Sequence, residues 1–325
     1  MHKAIQIILC AAFASISTLG YGESEPAPRM WKVEGAAGER IIVLGISHHG
    51  SQLEHDSYFH DVVIPQFLQA DVLHFEDGGS SFSNQQIECA TPLSDEDGKA
   101  TLQSAREIVQ RGAVEYFRVI LKDLPSGPPA EAALQDNARK FASGLSEFSV
   151  VVVLKNQFEF LKPQAHVDLA ALGGGPVVQT LRALRPNLPV RSMDRPDDMA
   201  RAYCASAVRL DILKAHMASY DPDSPLPQAS KEEAVRQVNE EVREFFVEHR
   251  SDPGPFNDAF VCPRNETWLQ RMPALNDRKT HFLALGAAHL FPYRGASRQC
   301  DGLLSDLRRA GYRVTPISRV ADDRE

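Results

Sequence analysis

Two histidines stand in matching settings near opposite ends of the sequence. The segment LGISHHG (44–50) and the segment LGAAHLF (285–291) each close an apolar run, and in each a glycine is followed by two residues and a histidine, His48 or His289. A third apolar run, ADVLHFED (70–77), ends in Glu76. Because short apolar runs of this kind are typical of buried strands, we expect three strand ends to present these side chains.

These three side chains are suited to two kinds of chemistry. Two imidazoles and one carboxylate are a common ligand set for a divalent transition metal that keeps open positions for water and substrate. Such a metal lowers the pKa of bound water and polarises a carbonyl. Without a metal, the same trio could supply a general base, a general acid and an orienting carboxylate. The spacing leaves both open, beside the simpler interpretation that each histidine is a hydrogen-bonded structural residue.

Strand patterns alternate with helical ones along the chain, which is typical of an α/β sheet. The most apolar of them, FSVVVVL (148–154), is predicted to be a strand near the middle of the sheet. The predicted fold is a mixed, largely parallel central sheet flanked by helices, with two pseudo-symmetric Gly-x-x-His halves and a helix-rich insert at about 195–273. In such folds ligands bind outside the carboxyl ends of the strands.

The first 22 residues are predicted to be a cleaved signal peptide, because a basic start precedes an apolar stretch and then small residues. The remainder is expected to be one domain over 28–320, without a transmembrane segment, in a periplasmic or secreted protein. Removal of residues 1–22 takes away Lys3 and no acid, so the net charge of −8 becomes −9. An acidic chain without a basic stripe argues against nucleic acid as a partner.

The predicted mature chain keeps an even number of cysteines. In an oxidising compartment this predicts two disulfides, for which three pairings are possible. The sequence has no C-x-x-C motif, which argues against a zinc ribbon or a thioredoxin-type site. The four residues are Cys89, Cys204, Cys262 and Cys300.

Four segments resemble the TraB/GumN family, which includes the Tiki metalloproteases and is similar to the erythromycin-esterase-like and haem-binding ChaN-like proteins. The last segment is the most specific, and together they span most of the predicted mature chain. They are MWKVEGAAGERIIVLGISHHG (30–50), ADVLHFED (70–77), RNETWLQRM (264–272) and THFLALGAAHLFPYRGASRQCDGLLSDLRRAGYRVTPI (280–317).

The resemblance implies that His48, Glu76 and His289 are the catalytic or metal-binding residues, with manganese, cobalt or zinc as the ion. It also implies that Arg264 and Asn265 are the family's Arg-Asn pair, in which Arg264 holds a substrate carboxylate or a developing oxyanion. The alternative role of Arg264 is a salt bridge that ties the helix-rich insert to the sheet. A glutamate in the family's middle region is replaced here by the shorter Asp194.

The expected function is an exported metal-dependent hydrolase, most plausibly a peptidase acting on a peptide or a small molecule. One alternative is a non-catalytic protein that binds a peptide, haem or metal in the same crevice. The other is a metal-free hydrolase of the erythromycin-esterase type that uses His48 as the base.

Overall fold

A six-stranded sheet forms the centre of the computed structural model, which describes residues 29–46, 56–76, 88–120, 127–155, 175–195, 197–219, 246, 248 and 254–318. The strands, in chain order, are β1 (Met30–Glu34), β2 (Arg40–Ile46), β3 (Val72–Phe75), β4 (Val190–Ser192), β5 (Thr280–Gly286), β6 (Tyr293–Arg294), β7 (Gln299–Cys300) and β8 (Arg313–Pro316). Strands β6 and β7 form a separate antiparallel pair.

The sheet has the order β4-β3-β5-β2-β1-β8. Strands β4, β3, β5 and β2 are parallel to their neighbours, whereas β1 is antiparallel to both β2 and β8. The predicted class, a mixed and largely parallel sheet flanked by helices, is therefore confirmed. The four parallel strands all end at one edge of the sheet, where side chains from distant parts of the sequence can meet.

Some helices pack on the two faces of the sheet, and others form a separate layer beside it. A π-helical turn (Phe59–Val63) leads into α1. The α-helices are α1 (Ile64–Leu68), α2 (Glu96–Ile120), α3 (Pro128–Ser143), α4 (Glu147–Lys155), α5 (Gly175–Leu184), α6 (Asp198–Ala205), α7 (Arg209–Ser219), α8 (Pro255–Arg271) and α9 (Leu303–Arg309). Short 3-10 helices follow α8 (Met272–Leu275) and β5 (Ala287–His289).

The strands bury alternate side chains on two different cores, as the pleat of a sheet covered on both faces requires. One face packs Leu73 and Phe282 against α1 and α5. The other face packs Val43 and Leu283 against Trp268 of α8 and against α9. A third core lies within the helical layer formed by α2, α3, α4, α6, α7 and the first half of α8.

The predicted strand at 148–154 is wrong, because this segment is helix α4 (Glu147–Lys155). The run of valines is buried in the helical layer and not in the sheet. Ser146 precedes the helix and its Oγ accepts a hydrogen bond of 3.2 Å from the backbone N–H of Ser149, which is an N-cap interaction. A helix that is buried on all sides has no polar face, so its sequence lacks the helical periodicity that would distinguish it from a buried strand.

Two disulfides join the four cysteines in one of the three possible pairings. Cys89 is bonded to Cys204 and Cys262 to Cys300, with Cα–Cα separations of 5.2 Å and 5.7 Å. The first ties the segment before α2 to α6, and the second ties α8 to β7. Among the described helices, none combines the length and the apolar character that crossing a bilayer requires.

Candidate functional site

Three acidic or imidazole side chains meet where the parallel strands end. Glu76 directly follows β3, Asp194 comes two residues after β4, and His289 lies in the 3-10 turn that follows β5. The Oε1 atom of Glu76 is 3.9 Å from Nε2 of His289. Neighbouring parallel strands thus bring together residues that are far apart in the sequence.

The carboxylate of Glu76 is bound on both oxygens. The backbone N–H of Gly286, the last residue of β5, donates to Oε1 of Glu76. The guanidinium of Arg264 lies on the other side, with Nη2 at 3.0 Å from Oε2. Glu76 is 8% exposed, so a partner of opposite charge is needed to stabilise its ionised form.

Arg264 comes from α8 and is the central cation of a buried cluster. The other members of this cluster are Glu76, Asp194, Asn265, Trp268 and His289. Its Nε and Nη2 atoms donate to Oδ2 of Asp194, at 3.1 Å and 2.6 Å. Trp268, one turn later on the same helix, donates from Nε1 to Oδ1 of Asp194 at 2.6 Å. One guanidinium is therefore shared by two carboxylates, those of Glu76 and Asp194, and with a neutral His289 the cluster carries one net negative charge.

The hydrogen bonds of His289 define its tautomer. A guanidinium has only donors, so Nε2 of His289 accepts from Nη1 of Arg264 at 3.2 Å. The proton of the neutral ring is then on Nδ1, which donates to Oδ1 of Asn265 at 2.9 Å. The amide of Asn265 is oriented in turn, because its Nδ2 donates to the backbone carbonyl of His289 at 2.9 Å. Asn265 thus holds the ring with Nε2 directed at the cluster.

Burial and charge act in opposite directions on the ionisable groups. Burial disfavours the charged form of Arg264, but the carboxylates of Glu76 and Asp194 outweigh this and raise its pKa. Burial raises the pKa of Asp194, against the opposing effect of Arg264 and of the Trp268 hydrogen bond. Arg264 therefore stays protonated, and its charge partly offsets the effect of burial on Asp194.

The spacing of three buried residues along α8 shows which face of the helix lies against the strand ends. Arg264, Asn265 and Trp268 are all buried, and the positions 264 and 268 lie one above the other on a helix. The guanidinium carbon of Arg264 is 4.7 Å from the centre of the Trp268 ring, and the rings of Trp268 and His289 are 4.5 Å apart. The indole thus packs against both the cation and the imidazole and limits their movement.

Four of the five residues proposed from the sequence are close together in the structure: Glu76, Arg264, Asn265 and His289. The fifth, His48, lies outside the described residues, so the predicted symmetry of the two halves is not described either. Strand β2 ends at Ile46, which pairs with Gly286 of β5.

Two residues of the cluster were not proposed from the sequence, and both carry a signal. Asp194 follows a short strand, as Glu76 does, and it stands where the family that the sequence resembles has a longer glutamate. Trp268 lies four residues after Arg264 on a predicted helix, which places both on one face. The hydrogen bond from Trp268 to Asp194 depends on how α8 packs on the sheet, and a single sequence does not show this packing.

The described donors fit a metal ion only in part. Glu76 Oε1 and His289 Nε2, 3.9 Å apart, are close enough to bind one ion at the usual ligand distances after a small adjustment. However, Nε2 already accepts a hydrogen bond from Arg264. Within the part of the chain that the structure describes, no group of three or more His, Cys, Asp or Glu side chains is arranged to hold a metal. A complete site would need His48.

Comparison with known proteins finds no family model that matches the chain. No curated protein matches it either, and no solved structure does. The resemblance to the TraB/GumN family therefore stays a prediction from the motifs.

Proposed function

We propose that the protein is an exported metal-dependent hydrolase of the TraB/GumN type, acting as a peptidase. The observation that carries the proposal is the juxtaposition of Glu76 and His289 at the ends of two neighbouring parallel strands, with Oε1 and Nε2 3.9 Å apart. Both side chains are buried together with Arg264, and interacting buried ionisable groups of this kind mark a candidate functional site. The predicted signal peptide and the two disulfides support export.

In the proposed site, Glu76, His289 and His48 would hold a divalent ion, which would supply an activated water and polarise the scissile carbonyl. The residues of this chain would do the rest. Asn265 keeps the proton of His289 on Nδ1, so that Nε2 offers a lone pair to the site. Arg264, which packs on the ring of Trp268, would stabilise the negative charge that develops on the carbonyl oxygen.

The experiment combines metal analysis with hydrolysis of a peptide library. The full chain is stripped with a chelator and assayed with manganese, cobalt or zinc. We expect stoichiometric metal and turnover in the wild type, and a loss of turnover of more than about a hundredfold in Glu76→Gln and His289→Gln. Both substitutions approximate the shape of the side chain, so a loss reports on its chemistry.

Glu147→Gln is the matched control. Glu147 is also a buried carboxylate paired with an arginine, Arg209, at 3.3 Å, but it lies in the helical layer. It should keep its metal and its turnover. Full turnover in Glu76→Gln would contradict the proposed site.

A metal-free hydrolase is a second candidate, and the hydrogen bond from Arg264 to His289 favours it. In this arrangement a guanidinium already provides the positive charge beside the imidazole, and it could stabilise an oxyanion without an ion. Turnover that survives exhaustive chelation would select this candidate. Binding of haem or peptide without turnover would instead favour a binding protein.

A further inference from the structure

We propose that the Cys262–Cys300 disulfide is a positioning element of the candidate site, which holds the turn of His289 against Asn265 on α8. The imidazole then keeps its orientation only while the disulfide is formed. The inference rests on the proposed function in so far as the site is catalytic, but the orientation of the ring can be measured without any turnover.

One stripe of α8 is bonded at three successive levels to the segment that follows β5. Positions 258, 262 and 265 are spaced by four and then three residues, so their side chains share one face of the helix. The bonded pairs, in order along the helix, are Asp258 with Tyr293, Cys262 with Cys300 and Asn265 with His289. The disulfide is the covalent bond of this row and lies between the other two levels.

The level beside the disulfide shows how closely the segment is held. Asp258 is 3% exposed and accepts at both oxygens, from the hydroxyl of Tyr293 at 2.5 Å and from the backbone N–H of Ser297 at 2.8 Å. A Cβ on Gly295 would overlap Oδ1 of Asp258, so the turn between β6 and β7 lies directly on this carboxylate. Helix α8 and the β6–β7 pair are therefore fixed to each other at two adjacent levels.

The segment needs these bonds because it has little structure of its own. Strands β6 and β7 share two residue pairs, and a ribbon this short is not stable alone in water. His289 lies in a 3-10 helix of three residues, Ala287–His289, which is a single turn. The distance of His289 from α8 is therefore set by the bonds that cross to the helix. The disulfide closes a loop with a sequence separation of 38, and both Asn265 and His289 lie inside it.

Loss of the disulfide has a defined chemical consequence at His289. The hydrogen bond of 2.9 Å to Oδ1 of Asn265 keeps the proton of the neutral ring on Nδ1. If the turn moves away from α8, this bond is lost and the proton can transfer to Nε2. A protonated Nε2 has no lone pair for the cluster and cannot accept from Nη1 of Arg264.

The test is nitrogen NMR of the His289 ring in the full exported chain, with the signals assigned by comparison with His289→Gln. The wild type should show one tautomer, with the proton on Nδ1. Cys262→Ala/Cys300→Ala should show a mixture of both tautomers. Its kcat for the peptide substrate should be at least about tenfold lower with little change in KM, because the ring and not the bound substrate is misplaced.

Cys89→Ala/Cys204→Ala is the matched control, since this disulfide lies in the helical layer. It should keep the wild-type tautomer and kcat. Its loop is the longer one, with a separation of 115 against 38, so its removal costs more stability in the chain-entropy model. If the disulfides acted only on stability, the control would show the larger effect.

Reduction provides a second measurement on a chain that has already folded. In the control variant, Cys262 and Cys300 are the only cysteines of the predicted mature chain, and Cys300 is partly exposed to a reductant. A small dithiol gives up two electrons and two protons, which leaves two thiols on the protein and a cyclic disulfide of the reductant. The second tautomer should appear on reduction. It should disappear when a small disulfide takes the electrons and protons back.

Asp258→Ala guards against loss of folding, because it keeps the disulfide and removes the adjacent level. It should show the second tautomer to a smaller extent, and its result decides if the chain without the disulfide does not fold. The inference is overturned by an unchanged tautomer in the folded chain without the disulfide, or by both tautomers in the wild type.

These outcomes differ from failure of the proposed function. A wild type with turnover, whose tautomer and kcat survive loss of the disulfide, refutes the positioning role alone. A wild type without turnover, whose tautomer changes on loss of the disulfide, refutes the hydrolase and upholds the positioning role.

Discussion

Acidification should destabilise the protein through His74, a buried histidine of β3. Nε2 of His74 lies 2.9 Å from Nδ1 of His281, and Nε2 of His281 lies 2.9 Å from Oδ1 of Asp277. With an ionised Asp277, each ring is neutral and donates toward the carboxylate. His74 is 3% exposed. Burial is the main cause that lowers the pKa of His74 from 6.5 to about 3, and the positive charges of a protonated His281 and of Arg191 add to it.

The magnitude follows from the linkage between protonation and folding. A histidine in the unfolded chain takes up a proton near pH 6.5, whereas His74 in the folded protein does so only near pH 3. Between these values the unfolded state binds one more proton, so the free energy of unfolding falls as the pH falls. The loss is about 1.4 kcal/mol per pH unit, or about 2 kcal/mol from pH 6.5 to about pH 5. Above pH 6.5 the contribution of His74 is constant.

The assay is urea unfolding at several values between about pH 7 and about pH 5. His74→Gln cannot take up this proton but keeps an amide donor for His281. The wild type should therefore lose about 2 kcal/mol more than this variant over the range. His60→Gln, at an exposed histidine, is the control and should follow the wild type. If the free energy of unfolding fell by the same amount with pH in the wild type and in His74→Gln, the role of His74 would be refuted.

Three further predictions concern stability and are checked by calorimetric or urea unfolding. Gly302→Ala should cost about 2–4 kcal/mol, because φ is 81° and a Cβ would lie 2.4 Å from the backbone of Phe291. Gly311→Ala, at φ 91° in open space, should cost only about 1–2 kcal/mol, and an equal loss at both would contradict the steric argument. Trp268→Phe should cost about 1–3 kcal/mol, since Asp194 loses a buried donor; a change within about 0.5 kcal/mol would show that the bond is dispensable. Removing the Cys89–Cys204 disulfide, with a sequence separation of 115, should lower the free energy of unfolding by about 5 kcal/mol. Removing Cys262–Cys300, with a separation of 38, should lower it by about 4 kcal/mol. The reverse order would show that loop entropy does not dominate.

The strands that carry the cluster could be predicted from the sequence because their signals are local. The runs that end at Gly45, Glu76 and Gly286 are apolar, short and bounded by residues that interrupt a strand. Each coincides with a parallel strand of the sheet, and the alternation with helices correctly predicts an α/β class. The order of the strands in the sheet has no local sequence signal, because β2 and β5 are neighbours in space but lie at opposite ends of the chain.

Helix α4 shows the limit of the same reasoning. Four successive valines favour a strand by their β-branched side chains and by their lack of polar neighbours. The burial of this segment among helices outweighs that preference, which amounts to less than about 1 kcal/mol per residue. The local signals for a helix lie at its ends: Ser146 caps the first turn, Glu147 begins it, and Lys155 is in the last turn. Where a segment is buried on all sides, the end of the element is more informative than its middle.

The cluster illustrates what a list of candidate ligands leaves out. Two histidines and a glutamate at strand ends predict a metal site if an external ion is assumed to balance the charge of the carboxylate. The structure places a second carboxylate, Asp194, beside Glu76, and two buried carboxylates require a cation whether or not a metal is bound. Helix α8 provides that cation as Arg264. A count of candidate ligands therefore overlooks a cation that the protein itself places beside both carboxylates.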